Sequence, residues 1–146
     1  IKQQLNEAGS AVHRVESVRL QLQQVQRLST DAEVVRAIRA VDAKLLEVEM
    51  KLVDLRQTGT GQDGVRFGSM LISKMGYLAN GMSSSDFTPT TQHVEVDGIL
   101  REQLKQHLAA IDGVLASELA PLNVQLDAKG LPKVVDRAGP APRIVP

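Results

Sequence analysis

The sequence has no cysteine and almost no aromatic side chains. Without cysteine, the chain can form no disulfide, no thiolate nucleophile and no cysteine-ligated zinc site. Phe67, Tyr77 and Phe87 are its complete aromatic set, and base-stacking platforms and sugar-binding clefts normally need more. The 17 Lys and Arg residues are balanced by 17 Asp and Glu residues, so the basic excess of nucleic-acid-binding proteins is missing. We therefore expect no nucleic-acid partner.

Long hydrophobic runs are also missing, because no apolar stretch approaches the roughly 18 residues of a membrane-spanning helix. We therefore expect no membrane span. The chain begins with Ile1, inside a segment that already has a helical pattern. This start leads us to expect a processed product or an excised domain, and it is compatible with a removed signal peptide.

Apolar residues three or four positions apart predict a helix over residues 1–28 and a second over residues 31–57. The segment Thr30–Glu33 matches a capping box that would begin the second helix. The second helix has the most regular repeat, a heptad seam suited to packing against neighbouring helices. This seam consists of Val34, Ile38, Val41, Leu45, Val48, Leu52 and Leu55.

Two further helices are predicted over residues 65–81 and 89–129. Thr88 would cap the last helix, which would end where Gly130 takes the left-handed conformation. Pro121 lies inside this helix, where we expect a kink or a short break. The third helix is expected to bury Phe67, Leu71, Met75, Leu78 and Met82.

Four helices with short links predict an all-α fold, an antiparallel up-down-up-down four-helix bundle over residues 1–132. An extended, proline-rich tail would follow over residues 133–146. The heptad seam could pack inside the chain or against another chain. Three further apolar stripes in the same chain favour the intramolecular bundle.

A glycine-rich connection raises the possibility of a nucleotide site. Gly59, Gly61 and Gly64 have the spacing of a dinucleotide-binding fingerprint. That fingerprint requires a strand before the glycines and an acidic residue for the ribose, and here a helix precedes them. We interpret the glycines as an interhelical connection and predict no cofactor.

The histidines are the candidates for metal binding, namely His13, His93 and His107. Carboxylate-bridged metal bundles use Glu-x-x-His repeats on facing helices, and this sequence has none. Glu95, Asp97 and Glu102 lie on one predicted helix with His107 but without that spacing. We expect these polar residues to be solvated and predict no metal site.

A serine cluster, Ser83–Ser85 followed by Asp86, could suggest a nucleophile. It lacks the strand-turn-helix context and the glycines of a nucleophile elbow, and turn or capping roles explain it better. The sequence therefore predicts no catalytic residue, no cofactor-binding residue and no enzyme activity.

The segment Ser84–Leu100, SSDFTPTTQHVEVDGIL, resembles a stretch in a family of large bacterial proteins. These are the sortilin-like, neuraminidase-type-repeat β-propeller proteins, often labelled glycosyl hydrolases, and the stretch lies in their C-terminal helical region. Similar motifs extend over residues 62–135, whereas residues 1–57 match only in helical pattern. Pro121 departs from the family pattern. The matching positions of the segment are Ser84, Asp86, Pro89, Thr90, Gln92, Glu95 and Val96.

The resemblance implies a non-catalytic accessory helical domain of an exported protein, periplasmic or extracellular. Its partner would be the propeller of its own parent chain, which it would brace or contact, and no functional residue of the family maps onto this chain. The alternative is a self-associating or partner-binding helical module, with the first two helices supplying an intermolecular seam. An independent enzyme is the third hypothesis, and it would require a deep pocket with converging ionisable groups.

Overall fold

The fold, taken from a computed structural model, is described for residues 1–57, 66–84 and 88–137. Over these ranges the chain is all-helical, which confirms the predicted class, and no strand occurs in them. The glycine fingerprint, Ser85, Asp86 and the tail beyond residue 137 lie outside the described residues. The four helices are α1 (Lys2–Leu28), α2 (Ala32–Leu52), α3 (Leu71–Ser83) and α4 (Thr91–Ala128).

Helix α2 ends at Leu52, so its predicted extension to residue 57 is wrong. Val53 is extended (φ −141°, ψ 141°), and the Asp54 side chain then accepts a hydrogen bond from the backbone N–H of Arg56 at 3.0 Å. This local bond offers the backbone an alternative to the helix. Leu55 consequently leaves the seam and is 41% exposed.

Helix α3 begins at Leu71, six residues later than its predicted start at residue 65. Phe67 is therefore not part of the helical stripe. Its ring lies under the Arg56 guanidinium, 4.7 Å from the ring centroid, in a cation–π arrangement. This contact joins the residues that follow α2 to the residues that precede α3. Leu71, Met75 and Leu78 are buried as predicted.

The helix ends use caps that the sequence predicted in part. The N-cap of α2 is Asp31 rather than Thr30, and its carboxylate accepts from two backbone N–H groups. The N-cap of α4 is Thr90 rather than Thr88, in a capping box with His93. Gly130 follows α4 with φ 68°, which confirms the predicted left-handed cap.

Helix α4 continues through Pro121, so of the two expected outcomes, a kink or a short break, the break does not occur. Pro121 lies on the exposed side of the helix. Solvent can therefore pair with the carbonyl of Ser117, which has lost its helical donor.

Ion pairs define the directions of α1, α2 and α4. Lys129 lies 2.7 Å from Asp31, and Lys44 lies 2.6 Å from Glu118, so α2 runs antiparallel to α4. Arg14, halfway along α1, bonds Asp112, in the middle of α4.

The α1–α4 pair is parallel, because Gln4, near the start of α1, lies beside the start of α4. With its amide nitrogen oriented toward Asp97, Gln4 donates to that carboxylate at 3.1 Å. It accepts from Arg101 Nε at 2.8 Å.

Helix α3 does not reverse the direction of α2, and the predicted up-down-up-down order is not confirmed. The last residues of α3 share a groove with the first residues of α1, and its middle faces the first turns of α4. Helix α3 therefore continues in the direction of α2, and the two together lie along α4. The prediction assumed a short, reversing link, whereas residues 53–70 separate the two helices.

The core is formed by one apolar stripe from each helix. The seam residues from Val34 to Leu52 are buried apart from the partly buried Val48, so the seam packs inside the chain. Leu28, the last apolar residue of the helix predicted over residues 1–28, is 62% exposed. The fully buried apolar side chains include Val15, Val18, Leu22, Ile38, Leu45, Leu52, Met75 and Leu126.

The chain after α4 folds back onto α1 and α4. Val134 is 2% exposed and belongs to the core. Its N–H and C=O both bond the Asn123 side chain, and those of Val135 both bond the Gln21 side chain. Asp136 then pairs with Arg14. The predicted tail is thus docked through residues 134–136.

Two adjacent leucines test the assignment of the α2 seam to the core. Leu45 is fully buried, whereas Leu46 is 37% exposed. Leu45→Ala should lower the free energy of unfolding by about 2–5 kcal/mol, because it leaves a cavity. Leu46→Ala should lower it by less than about 1 kcal/mol. Chemical denaturation followed by circular dichroism measures both, and equal losses would contradict the seam assignment.

Candidate functional site

The structure does not bring the three histidines together. His13 is exposed and lies 3.4 Å from Glu16, one turn along α1. His93 belongs to the cap of α4. His107 is half-buried, and burial together with nearby Lys51 lowers its pKa. Over the ranges that the structure describes, no three His, Asp or Glu side chains are arranged to hold a metal ion.

The other polar candidates serve helix geometry. Ser83 and Ser84 donate their hydroxyl hydrogens to the backbone carbonyls of Asn80 and Gly81 at the end of α3. These bonds are of the local type that Ser forms where helices end. Asp97 accepts from Arg101 at 2.8 Å, one turn along α4.

A buried ion cluster between α1 and α2 was not predicted from the sequence. Arg19 donates from Nε to Asp42 Oδ1 and from Nη1 to Glu49 Oε2, both at 2.8 Å. The Glu49 side chain is 0% exposed, and that of Arg19 is 17% exposed. One guanidinium therefore joins two carboxylates of the neighbouring helix.

Glu49 is the member of this cluster whose burial is least compensated by hydrogen bonds. Burial raises its pKa, and the hydrogen bond from Arg19 opposes that shift. Its second oxygen, Oε1, has no hydrogen-bond partner among the described residues. A buried acceptor left in this state costs free energy. The cluster thus fixes the register of α1 and α2 at an electrostatic cost.

The sequence carries a weak indication of this cluster. The heptad pattern points to Val48, yet 3.6 residues per turn bring positions 48 and 49 almost equally toward the core side. The structure buries Glu49 fully and leaves Val48 partly exposed. Only the position of Arg19 on the facing helix explains why a carboxylate is tolerated there.

Two grooves flank α3 at the end of the molecule where α1 and α4 begin. The α1–α3 groove has a volume of about 520 Å³ and is lined by Leu5 and Met82, among others. The α3–α4 groove has a volume of about 610 Å³, with Leu78 and Leu100 among its lining residues.

The α3–α4 groove has exposed apolar side chains beside it. Tyr77 is 84% exposed, and Val96 is 42% exposed; both line the groove. Ile99, 59% exposed, lies one turn from Val96 on the same side of α4. The described lining residues include Lys74 and no Asp or Glu. The groove can therefore accept an apolar side chain, with a cation at its edge.

No helix in the part of the chain that the structure describes is long and apolar enough to cross a membrane. Comparison with known proteins found no matching family model, no matching curated protein and no matching solved structure.

Replacement of Glu49 by Gln tests the buried carboxylate. The pKa of Glu49 in the folded state lies above its ordinary value of 4.5. At pH values between these two pKa values, the folded chain therefore holds a proton that the unfolded chain has lost. The stability of the wild type should fall as the pH rises from below 4.5 through that raised pKa. Glu49→Gln should fall less over the same range.

The measurement is the free energy of unfolding at several pH values, by denaturant titration. Glu47→Gln, which removes an exposed carboxylate from the same helix, is the matched control and should retain the wild-type profile. If Glu49→Gln also follows the wild type, the unpartnered carboxylate does not carry the pH dependence.

Proposed function

We propose that this chain is a non-catalytic accessory helical domain that contacts a partner protein through the α3–α4 groove. The observation that carries the proposal is an open groove of about 610 Å³ lined by the exposed Tyr77 and Val96, with the exposed Ile99 one turn of α4 away from Val96. Apolar side chains grouped at a concave surface are typical of contact sites, because their burial removes apolar area from water.

The partner in this proposal is the β-propeller of a longer, exported parent chain, located in the periplasm or outside the cell. This part depends on the resemblance of Ser84–Leu100 to the helical region of sortilin-like propeller proteins. Gln92 and Val96, two of the matching positions, line the groove. The helices would brace the propeller, and any ligand binding or hydrolysis would belong to the propeller.

Self-association is the alternative function, and the same exposed residues support it. A second copy could cover the groove in an isologous contact that buries both sets of these residues. The seam of α2 does not support it, because those residues pack against this chain's own helices.

A substitution pair distinguishes the two functions. In the proposed function, the isolated chain sediments as a monomer at every concentration, and Ile99→Asp leaves its sedimentation coefficient and helicity unchanged. In the alternative, the coefficient of the wild type rises with concentration and Ile99→Asp abolishes the rise. Val124→Asp is the control, because Val124 is 72% exposed toward the other end of α4.

The partner itself is tested by the coding sequence upstream of Ile1, where the proposal expects repeats of the Ser-x-Asp-x-Gly-x-Thr-Trp type. Hydrogen exchange then compares this chain with that parent. Amides of α3 and the first turns of α4 should exchange more slowly in the parent, whereas those of α2 should not change. Equal exchange at α3 in both proteins would contradict the groove as the contact.

A further inference from the structure

The chain segment after α4 is held by its backbone as well as by its side chains. Asn123 donates from Nδ2 to the C=O of Val134 and accepts from its N–H, both at 2.8 Å. Gln21 makes the same pair of bonds with Val135, both at 2.9 Å. Two carboxamides thus satisfy all four backbone polar groups of a dipeptide.

This pairing is that of an extended strand. In an extended segment, the N–H and C=O groups of successive residues point to opposite edges. Asn123 projects from α4 and Gln21 from α1, so each wall of the groove between these helices supplies one carboxamide. The α1–α4 groove therefore grips an extended peptide from both edges without any neighbouring strand.

The groove also selects side chains. Val134 is 2% exposed, whereas Val135, on the opposite face, is 45% exposed. Arg14 then donates from Nε and Nη2 to the two carboxylate oxygens of Asp136, at 2.8 and 2.7 Å. The fork geometry of such a bidentate pair favours a carboxylate at this position.

A second carboxylate orients the Arg14 side chain toward Asp136. Its Nη1 donates to Asp112 of α4 at 2.5 Å, which leaves Nε and Nη2 directed at the segment. The hydrogen bonds that Arg14 donates to Asp136 and Asp112 raise its pKa, against its partial burial. The groove thus contacts three successive positions of the segment. The first is a buried aliphatic residue, the second is an exposed residue that the groove does not select, and the third is an aspartate.

We propose that the α1–α4 groove is a binding site for an extended segment of a partner protein with the pattern aliphatic–any–aspartate. The chain's own Val134, Val135 and Asp136 occupy this site and act as its intramolecular competitor. The groove lies on a different face from the α3–α4 groove, so this inference does not depend on the proposed function.

The competitor dictates the design of the test. A tethered segment has a high effective concentration and masks a free peptide in the wild type. The double variant Val134→Ser with Asp136→Ala removes the buried and charged anchors while it keeps the full chain. The probe is a fluorescent, end-capped peptide with the sequence of residues 131–137, Leu-Pro-Lys-Val-Val-Asp-Arg.

Fluorescence anisotropy should show the probe binding about tenfold or more tightly to the double variant than to the wild type. Adding Arg14→Gln to the double variant should weaken binding about tenfold or more, because the carboxylate loses its bidentate partner. Arg27→Gln, an exposed arginine on the same helix, is the matched control. A peptide with Asn in place of Asp should bind as weakly as the wild-type peptide binds the Arg14 variant.

Circular dichroism establishes that each variant is folded. Should the double variant not fold, hydrogen exchange on the wild type replaces it: peptide added above the roughly millimolar effective concentration of the tethered segment should release the protected amides of Val134 and Val135. Absence of binding to a folded double variant, or unchanged protection in the wild type, would overturn the proposal. So would a concentration-dependent rise in the sedimentation coefficient of the wild type that the double variant abolishes and Ile99→Asp does not, since the occupant would then be the segment of a second copy.

Discussion

Burial of one apolar face of α4, from Leu100 to Leu126, is the constraint on which the rest of the structure depends. This helix has 38 residues, whereas α2 has 21. The remaining length needs a second cover, and the 13 residues of α3 supply it. The place of α3 follows from this requirement, since it must lie where α2 has ended. Residues 53–70 between α2 and α3 provide enough chain for α3 to run in the same direction as α2.

Polar contacts then determine how the helices are aligned. Apolar stripes can slide past one another at small cost, because dispersion and burial have little directional preference. Ion pairs such as Lys129–Asp31 and Arg19–Glu49 favour particular alignments. The buried pair is the more informative, because an unpaired Glu49 would be costly in every other register. Specific alignment is thus obtained at the expense of some stability.

The sequence was sufficient for the parts of the fold that depend on repeated patterns. The apolar period of α2 predicted Ile38 and Leu45 in the core, and Gly130 marked the end of the last helix. Helix ends were less predictable, because they depend on single local bonds such as that between Asp54 and the Arg56 backbone. The direction of α3 was missed because a pattern of periods contains no information about the path of a connection.

The candidate sites were predictable only in part for a related reason. The resemblance included Val96 among its matching positions, but the sequence predicted no site residue there, because the groove exists only where α3 and the first turns of α4 meet. The carboxamides of Gln21 and Asn123 are ordinary polar residues in sequence. Their role arises from the meeting of two helices with a segment that lies 114 positions after Gln21 and 11 after Asn123. No local pattern encodes such a meeting.

The docked segment has a consequence for the synthesis of the protein. Arg14 and Asp136 are separated by 122 positions, so Arg14 leaves the ribosome long before its partner exists. The apolar faces of α1 and α2 therefore stay partly exposed until α4 has been synthesised. Contacts between such distant residues form late and slowly, and exposed apolar surface invites association in the interval. The residues near the end of the described chain thus complete contacts with residues near its start. Association is most favoured in the interval between the synthesis of Arg14 and that of Asp136.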